Sequence, residues 1–251
     1  MKVYERTKAL TEKEFTYCPG CTHSIIHRLV AESLEELGVI DRSVVIASVG
    51  CSVYAYDYFN CDAFQAPHGR ACAVATGVKR VTKDKIVFTY QGDGDLASIG
   101  MGETVHAGHR GENITVIFVN NAIYGMTGGQ MAPTTLVGQK TTTSPYGRDV
   151  ALAGKPLLVS EMMKEIPQVH YVERCSVHDV AHINKTKKAI LKAFQNQIDG
   201  KGFSMVEILS TCNINWGMSP VESLDYVKND MCDYYKLGVY KDNGEIVGGG
   251  K

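Results

Sequence analysis

Two apolar runs, at 86–91 and 114–119, end in Gly92-Asp93-Gly94-Asp95 and Asn120-Asn121. The intervening stretch is long enough for one crossover helix, so the pattern reads as a βαβ unit of right-handed connection. Asp93 and Asn121 then lie at the carboxyl ends of neighbouring parallel strands, where open α/β sheets bind ligands. A carboxylate and an amide among glycines suit magnesium, which takes oxygen ligands and keeps sites for phosphate and water. A backbone carbonyl at Ile123 is a candidate third protein ligand. The simpler reading of Gly-Asp-Gly is a strand-to-helix turn with Asp95 as the helix cap; the second strand ending in Asn-Asn tips the balance towards a diphosphate–metal site.

Around this unit, strand and helix patterns alternate. Helical spacing of apolar residues predicts a helix over 24–37, followed by a buried strand over 44–48 that runs into Val49, Gly50, Cys51 and Ser52. Residues 53–67 are aromatic and read as irregular. Small residues predict a close-packed helix over 70–81, after His68 and Gly69. The crossover helix is expected over 96–110. Residues 122–156, rich in Gly, Thr and Pro, form a loop of the length that is usually functional or disordered. A second alternation follows: helix 157–165, strand 169–174, helix 178–197 and strand 203–209. Ser219-Pro220-Val221-Glu222 reads as a capping box opening a last helix. The predicted fold is a single α/β domain over 1–251, a mostly parallel sheet with helices on both faces, with a polar lead at 1–16 and a disordered tail at 245–251.

Composition narrows the function. A chain of 251 residues, 44% apolar, supports one sizeable core, and a formal net charge of −1 points away from nucleic acid and anionic membranes. No apolar run approaches the ~20 residues of a membrane span. The first 16 residues are charged and lack an apolar signal core, so the expected location is the cytoplasm. Eight cysteines without a secretion signal point to metal or redox chemistry rather than disulfides.

The Gly-Asp-Gly and Asn-Asn pair resembles the thiamine-diphosphate signature. More closely, the chain resembles the β subunit of the 2-oxoacid:ferredoxin oxidoreductases over about residues 17–220. The matching stretches, in family order, are Cys18-Pro19-Gly20-Cys21, Gly50-Cys51-Ser52, His68-Gly69-Arg70-Ala71, Val74-Ala75-Thr76-Gly77, Gly92-Asp93-Gly94-Asp95, Tyr124-Gly125-Met126-Thr127-Gly128-Gly129-Gln130 and Pro133-Thr134-Thr135. The resemblance implies that Asp93, Asn121 and the Ile123 carbonyl hold Mg2+, and that Val49, Gly50, Cys51, Ser52, Gly94, Asp95, Gly125 and Met126 line thiamine diphosphate. His68, with Gly69 and Arg70, is expected beside the cofactor. His68 is the candidate for a hydrogen bond to substrate, and Arg70 is placed on either a phosphate or a neighbouring carboxylate. The family's cluster ligands map onto Cys18, Cys21, Cys51 and Cys212, implying a [4Fe–4S] cluster; a zinc knot is the alternative for an isolated Cys-x-x-Cys. A redox cluster fits a reaction that releases two electrons, which zinc cannot carry.

Cys61, Cys72, Cys175 and Cys232 have no assigned role, Cys72 reading as a buried hydrophobe. Glu103, His106 and His109 on the crossover helix read as solvated polarity, and Trp216 as a shield for the cluster or a subunit contact. The family's activating glutamate belongs to a pyrimidine-binding domain on an α subunit, so this chain is expected to be inactive alone. The implied partners are that α subunit, ferredoxin-like γ and δ subunits, ferredoxin, coenzyme A and a 2-oxoacid, with branched-chain acids ahead of 2-oxoglutarate or pyruvate. Tyr54 and Tyr56 stand where some family members carry a lysine. A non-redox thiamine decarboxylase subunit, resembling sulfopyruvate decarboxylase, would have no use for the four cysteines. A zinc-dependent binding module is the rival outside enzymes.

Overall fold

In the computed structural model, which describes residues 5–248, eight strands form one sheet. They are β1 (Ser43–Ala47), β2 (Asp62–Gln65), β3 (Ile86–Gly92), β4 (Thr115–Asn120), β5 (Val169–Ser176), β6 (Phe203–Leu209), β7 (Gly238–Asp242) and β8 (Glu245–Ile246). Their order across the sheet is β2-β1-β3-β4-β6-β5-β7-β8, with the first six parallel and the last two antiparallel. The longer helices are α1 (His23–Glu36), α3 (Ala71–Val81), α4 (Met101–His109), α6 (Val159–Lys164), α7 (Val180–Ile198) and α9 (Pro220–Tyr226). Short helices α2 (Ala55–Tyr58), α5 (Val150–Ala153) and α8 (Asn213–Trp216) lie between them.

The central strands carry apolar side chains on both faces, as a parallel sheet covered on both sides requires. Val45, Phe88, Tyr90, Ile117, Val119, Val206 and Ile208 face one layer, against Ile26, Leu29, Val30 and Leu34 of α1 and Ala189, Ile190, Ala193 and Phe194 of α7. Their alternate neighbours Val44, Ile46, Val87, Val116, Phe118 and Met205 face the other, against Ala71, Cys72 and Ala75 of α3, Ala107 of α4 and Met163 of α6. Fully burying a side chain of this size contributes about 1.5–3 kcal/mol. Register then aligns the strand ends. Gly92 pairs with Val119, Asn120 with Leu209 and Ala47 with Tyr90, so the turns after β1, β3, β4 and β6 share one edge.

The α/β layering and the strand and helix positions predicted above are those of the structure, with three corrections. Residues 53–67 are not irregular: they hold α2 and the edge strand β2, whose four residues are all exposed and so carry no apolar signal. The crossover helix expected over 96–110 is broken. Asp95–Ile99 winds as a π-helical turn, and α4 begins only after Gly100. Finally, the tail expected to be disordered from 245 begins with β8, joined to β7 by Asn243-Gly244, both at positive φ (50° and 77°) as a tight hairpin turn requires. Residues 249–251 of that tail and 1–4 of the lead lie outside the described residues. The capping box forms as predicted, Ser219 and Glu222 each accepting from the other's backbone N–H.

One side chain ties together several points of the long 122–156 connection. Arg148, buried, donates to the carbonyls of Ala132, Thr135, Ala153, Gly154 and Lys155 at 2.8–3.4 Å. The guanidinium's fork of donors is thus satisfied without a carboxylate.

Candidate active site at the carboxyl edge

Asp93 follows β3 and is buried. Its Oδ1 accepts from the Gly94 N–H (2.8 Å), and its Oδ2 from the Ile123 N–H (3.1 Å) and the Thr134 hydroxyl (2.6 Å). Asn121 is presented by a turn that is itself braced. The Asn120 side chain donates to Glu207 Oε1 (2.8 Å) and accepts from the Ala122 N–H (3.1 Å), while the Thr135 hydroxyl donates to the Ala122 carbonyl (2.6 Å). These bonds hold Ala122 at φ 57°, a left-handed conformation that disfavours a side chain. Glu207 is in turn fixed by Arg174 Nε (2.8 Å) and the Ser160 hydroxyl (2.5 Å), both ion-pair partners being fully buried.

The amide oxygen of Asn121 faces two other acceptors, Asp93 Oδ1 and the Ile123 carbonyl oxygen; turned over, the amide nitrogen would donate to them at 3.3 and 2.7 Å. Three oxygens aimed at one another repel unless a proton or a cation lies among them. A carboxylate, an amide oxygen and a carbonyl oxygen form a hard-cation donor set, so these residues fit magnesium.

Burial, partly offset by the Thr134, Gly94 and Ile123 hydrogen bonds, pushes the Asp93 carboxyl up from 3.8 to about 6. The sign follows by linkage. A folded-state value above the unfolded one means that this group's stabilisation is complete below pH 4 and is lost as pH rises through 6. The shift corresponds to about 3 kcal/mol at neutral pH in metal-free protein. Denaturant titrations of metal-free native protein and of Asp93→Asn are therefore expected to diverge between pH 4 and 7, the native protein losing ground to the variant. Parallel curves would remove this ionisation as a source of strain.

The other residues around this cavity are placed as follows. Val49, Gly50, Cys51, Ser52, His68, Asp93, Gly94, Asp95, Asn121, Ile123, Gly125 and Met126 all border it. Asp95 is buried, with Oδ2 taken by the Gln91 amide (2.7 Å) and Oδ1 by the Gly69 N–H (2.7 Å) and His68 Nδ1 (2.5 Å). A carboxylate only accepts, so His68 Nδ1 is the donor and Nε2 is left for the cavity side. A methyl on Gly94 would overlap the Tyr124 ring, so glycine is required there by close approach.

Gly69 and Arg70 do not border the cavity. Gly69 acts through Asp95. Arg70 pairs with Glu103 of α4 at 2.7 Å, the carboxylate option of the two considered, which also accounts for Glu103 without a metal.

A second cavity adjoins the first and is bordered by Cys18, Cys21, Cys51 and Cys212, with Cys51, Asn121, Gly125, Met126 and His23 common to both. All eight cysteines are free thiols. Among the described residues, no three of these sulfurs lie within 4.8 Å of one another. Tetrahedral zinc with Zn–S bonds near 2.3 Å brings its sulfurs to roughly 3.8 Å of one another, closer than any three of these stand. Burial pushes the Cys21 thiol up to about 12 and the Cys51 thiol to about 11, and raises Cys212, each with the neighbouring thiols adding to the effect. Asn215 Nδ2 donates to Cys212 Sγ (3.2 Å) and to the Gly125 carbonyl (2.8 Å), tying the two cavities together.

Several residues here were not singled out from sequence. His23, two positions after Cys21, is buried, stacks on Tyr17 (4.8 Å between ring centres) and bonds Tyr90 through Nδ1 (2.9 Å). Thr134 and Gln91 act through the two aspartates. Trp216 does not border the thiol cavity and instead packs edge-on against Tyr226 at 4.9 Å. Cys61 packs against the core layer that also holds α1 and α7 rather than with the other thiols, and Cys72 is buried and donates to Gln91.

Residues 45–208 match the family model for the C-terminal TPP-binding domain of thiamine pyrophosphate enzymes. The chain is 32% identical to 2-oxoglutarate synthase subunit KorB of Methanocaldococcus jannaschii, covering 93% of this chain and 85% of that one. The chain belongs to the thiamine-pyrophosphate-binding subunits of the 2-oxoacid:ferredoxin oxidoreductases. Another oxidoreductase of this group, ketoisovalerate oxidoreductase subunit VorA of Methanothermobacter thermautotrophicus, is 45% identical over 240 residues, 96% of this chain. This chain spans about half (50%) of that relative's length. A solved 2-oxoglutarate:ferredoxin oxidoreductase from Magnetococcus marinus, determined with 2-oxoglutarate, coenzyme A and succinyl-CoA, superposes with a TM-score of 0.77 at 28% identity, covering 91% of this chain and 74% of that one. Among the described residues of this family member, no helix is long and apolar enough to cross a membrane.

Proposed function

We propose that this chain is the cofactor-binding part of an oxidoreductase that converts a 2-oxoacid and coenzyme A to acyl-CoA and CO2, passing two electrons singly to ferredoxin. The observation that carries this reading is Cys51, which borders the three-oxygen convergence on one side and the thiol cavity on the other. Asp93 and Asn121, with the Ile123 carbonyl, would hold the magnesium of the diphosphate, and Cys18, Cys21, Cys51 and Cys212 would hold a [4Fe–4S] cluster. When bound, thiamine diphosphate supplies the electron sink for decarboxylation and the cluster a one-electron exit.

The chain's own groups position and polarise. Asp95 orients His68 so that Nε2 faces the cavity, where it can hydrogen-bond the substrate's carboxylate or keto oxygen. Gly94 lets the backbone approach the phosphates, and the Val49–Ser52 turn walls the cavity between the two groups. The activating glutamate would come from a partner α subunit's pyrimidine domain, with ferredoxin-like γ and δ subunits carrying electrons onward. Eight free thiols suit the reducing cytoplasm.

Branched-chain 2-oxoacids are the preferred substrates, since the ketoisovalerate relative is 45% identical and the 2-oxoglutarate relative 32%. The test is an anaerobic assay of the complex assembled with its partner subunits, using 2-oxoisovalerate, 2-oxoglutarate and pyruvate with coenzyme A and a viologen acceptor. Coenzyme A-dependent viologen reduction, fastest with 2-oxoisovalerate, is expected. CO2 release without acceptor reduction would overturn the redox reading in favour of a simple decarboxylase.

A further inference from the structure

At the start of α7, beside the end of β5 and outside the borders of both cavities, His178, Asp179 and His182 turn their ligand atoms towards one another. His178 Nε2 lies 3.2 Å from Asp179 Oδ2, and His182 Nδ1 lies 2.8 Å from Asp179 Oδ1. The three ligand atoms all fall within 4.8 Å of one another, and among the described residues no other three His, Cys, Asp or Glu side chains do so. The two rings stand 4.1 Å apart, tilted by 34°. We propose that His178, Asp179 and His182 form a binding site for a late first-row divalent cation of the zinc type, with solvent completing the coordination.

The spacing fits. Bonds of about 2.0–2.2 Å to nitrogen and oxygen in a tetrahedral site imply ligand-to-ligand edges of about 3.3–3.5 Å. The 3.2 Å edge is already close to this. His182 Nδ1 meets the other carboxylate oxygen, Oδ1, at 2.8 Å, a hydrogen bond that gives way when a cation replaces its proton. His178 precedes the N-cap Asp179 and His182 lies in the first turn of α7, so the capping turn brings the two imidazoles together.

The support around the site points the same way. The Ser176 hydroxyl bonds His178 Nδ1 at 2.8 Å, fixing the ring and leaving Nε2 to the carboxylate. Ligating histidines characteristically have such a partner on their second nitrogen. The His178 side chain is only 5% exposed, so its ring is held rather than swinging in solvent. Burial keeps His178 below the usual imidazole range, and hydrogen bonds from the His182 backbone and ring push Asp179 down to about 2. The neutral imidazole and the ionised carboxylate are the forms that bind metal. Two features oppose a cation: the positive end of α7, whose N-cap is Asp179, and the Lys228 ammonium, whose field reaches His178. They set the affinity below that of a site without them. The site would staple the end of β5 to the start of α7.

The probe is zinc itself, titrated into the cluster-loaded, assembled complex so that Cys18, Cys21, Cys51 and Cys212 are already committed. One zinc per chain is expected in the native complex. His182→Gln should weaken binding by about tenfold or more, and the exposed Lys228→Gln should strengthen it, with iron content and visible spectrum unchanged in both. His178→Gln should match His182→Gln; should it not fold, His182→Gln decides alone, because its ring is on the helix surface. Equal zinc binding by native and His182→Gln complexes would overturn the site, leaving Asp179 a helix cap and nothing more.

Discussion

Asp93→Asn, introduced into the assembled complex, is expected to abolish magnesium-dependent thiamine diphosphate binding and to lower turnover by about 10²–10³-fold or more. The side chain keeps its shape but loses the charge that offsets a divalent cation. It also turns an amide N–H2 towards donors, since Asp93 Oδ2 now accepts from the Ile123 N–H and the Thr134 hydroxyl. One unsatisfied donor costs about 1–3 kcal/mol, while removing a buried carboxylate whose ionisation is already disfavoured returns stability at neutral pH. The variant should therefore fold, with a melting temperature close to the native one in the absence of metal, and fail only when cofactor is added. Calorimetric titration with thiamine diphosphate, with and without magnesium, checks this. Native-like affinity in the variant would exclude Asp93 as a metal ligand.

Cys51→Ser and Cys212→Ser are each expected to lower the iron content of the complex and its visible absorbance, and to reduce acceptor turnover by at least about a hundredfold. Serine keeps the size of the side chain but replaces the thiolate that an iron–sulfur cluster requires. A Cβ at Gly125 would lie 3.3 Å from Cys212 Sγ and 3.4 Å from Cys51 Sγ, so these two sulfurs flank one point of backbone. Cys61→Ser is the control, since its side chain packs against the α1 side of the core and should leave iron unchanged. Iron and sulfide analysis after anaerobic purification separates the outcomes. A Cys212→Ser complex with full iron would remove that residue from the ligand set and send the search to another late cysteine.

The β3–β4 unit and its two asparagine and aspartate turns were legible from sequence because both strands are buried on both faces. That burial leaves unbroken apolar runs whose ends stand out. The edge strand β2 escaped for the opposite reason: all four of its residues are exposed, and nothing in their order distinguishes a strand from a loop. The β7–β8 hairpin had a signal in Asn243-Gly244, outweighed by the glycine-rich stretch that follows. Spacing alone does not say which way the first-turn side chain of Arg70 leans; the pairing with Glu103 decides it. His23, Gln91 and Thr134 are invisible to pattern reading, since each matters only through a contact with a residue distant in sequence or one turn away. The four candidate ligand cysteines are grouped by resemblance. The topology explains why they can meet: the ends of β1 and β6 and the approach to α1 converge on the same edge.

Arg148 divides the long connection into parts with different freedom to change. Thr134 and Thr135 hold Asp93 and Ala122, and the guanidinium ties the backbone around those threonines to residues 153–155. The stretch just before them, including the half-exposed Met126, makes no hydrogen bond to Asp93 yet forms part of the cavity wall. Met126 can therefore change without breaking a bond to Asp93, whereas Gly128 and Gly129, at φ 104° and 83°, are held to glycine by the backbone they adopt.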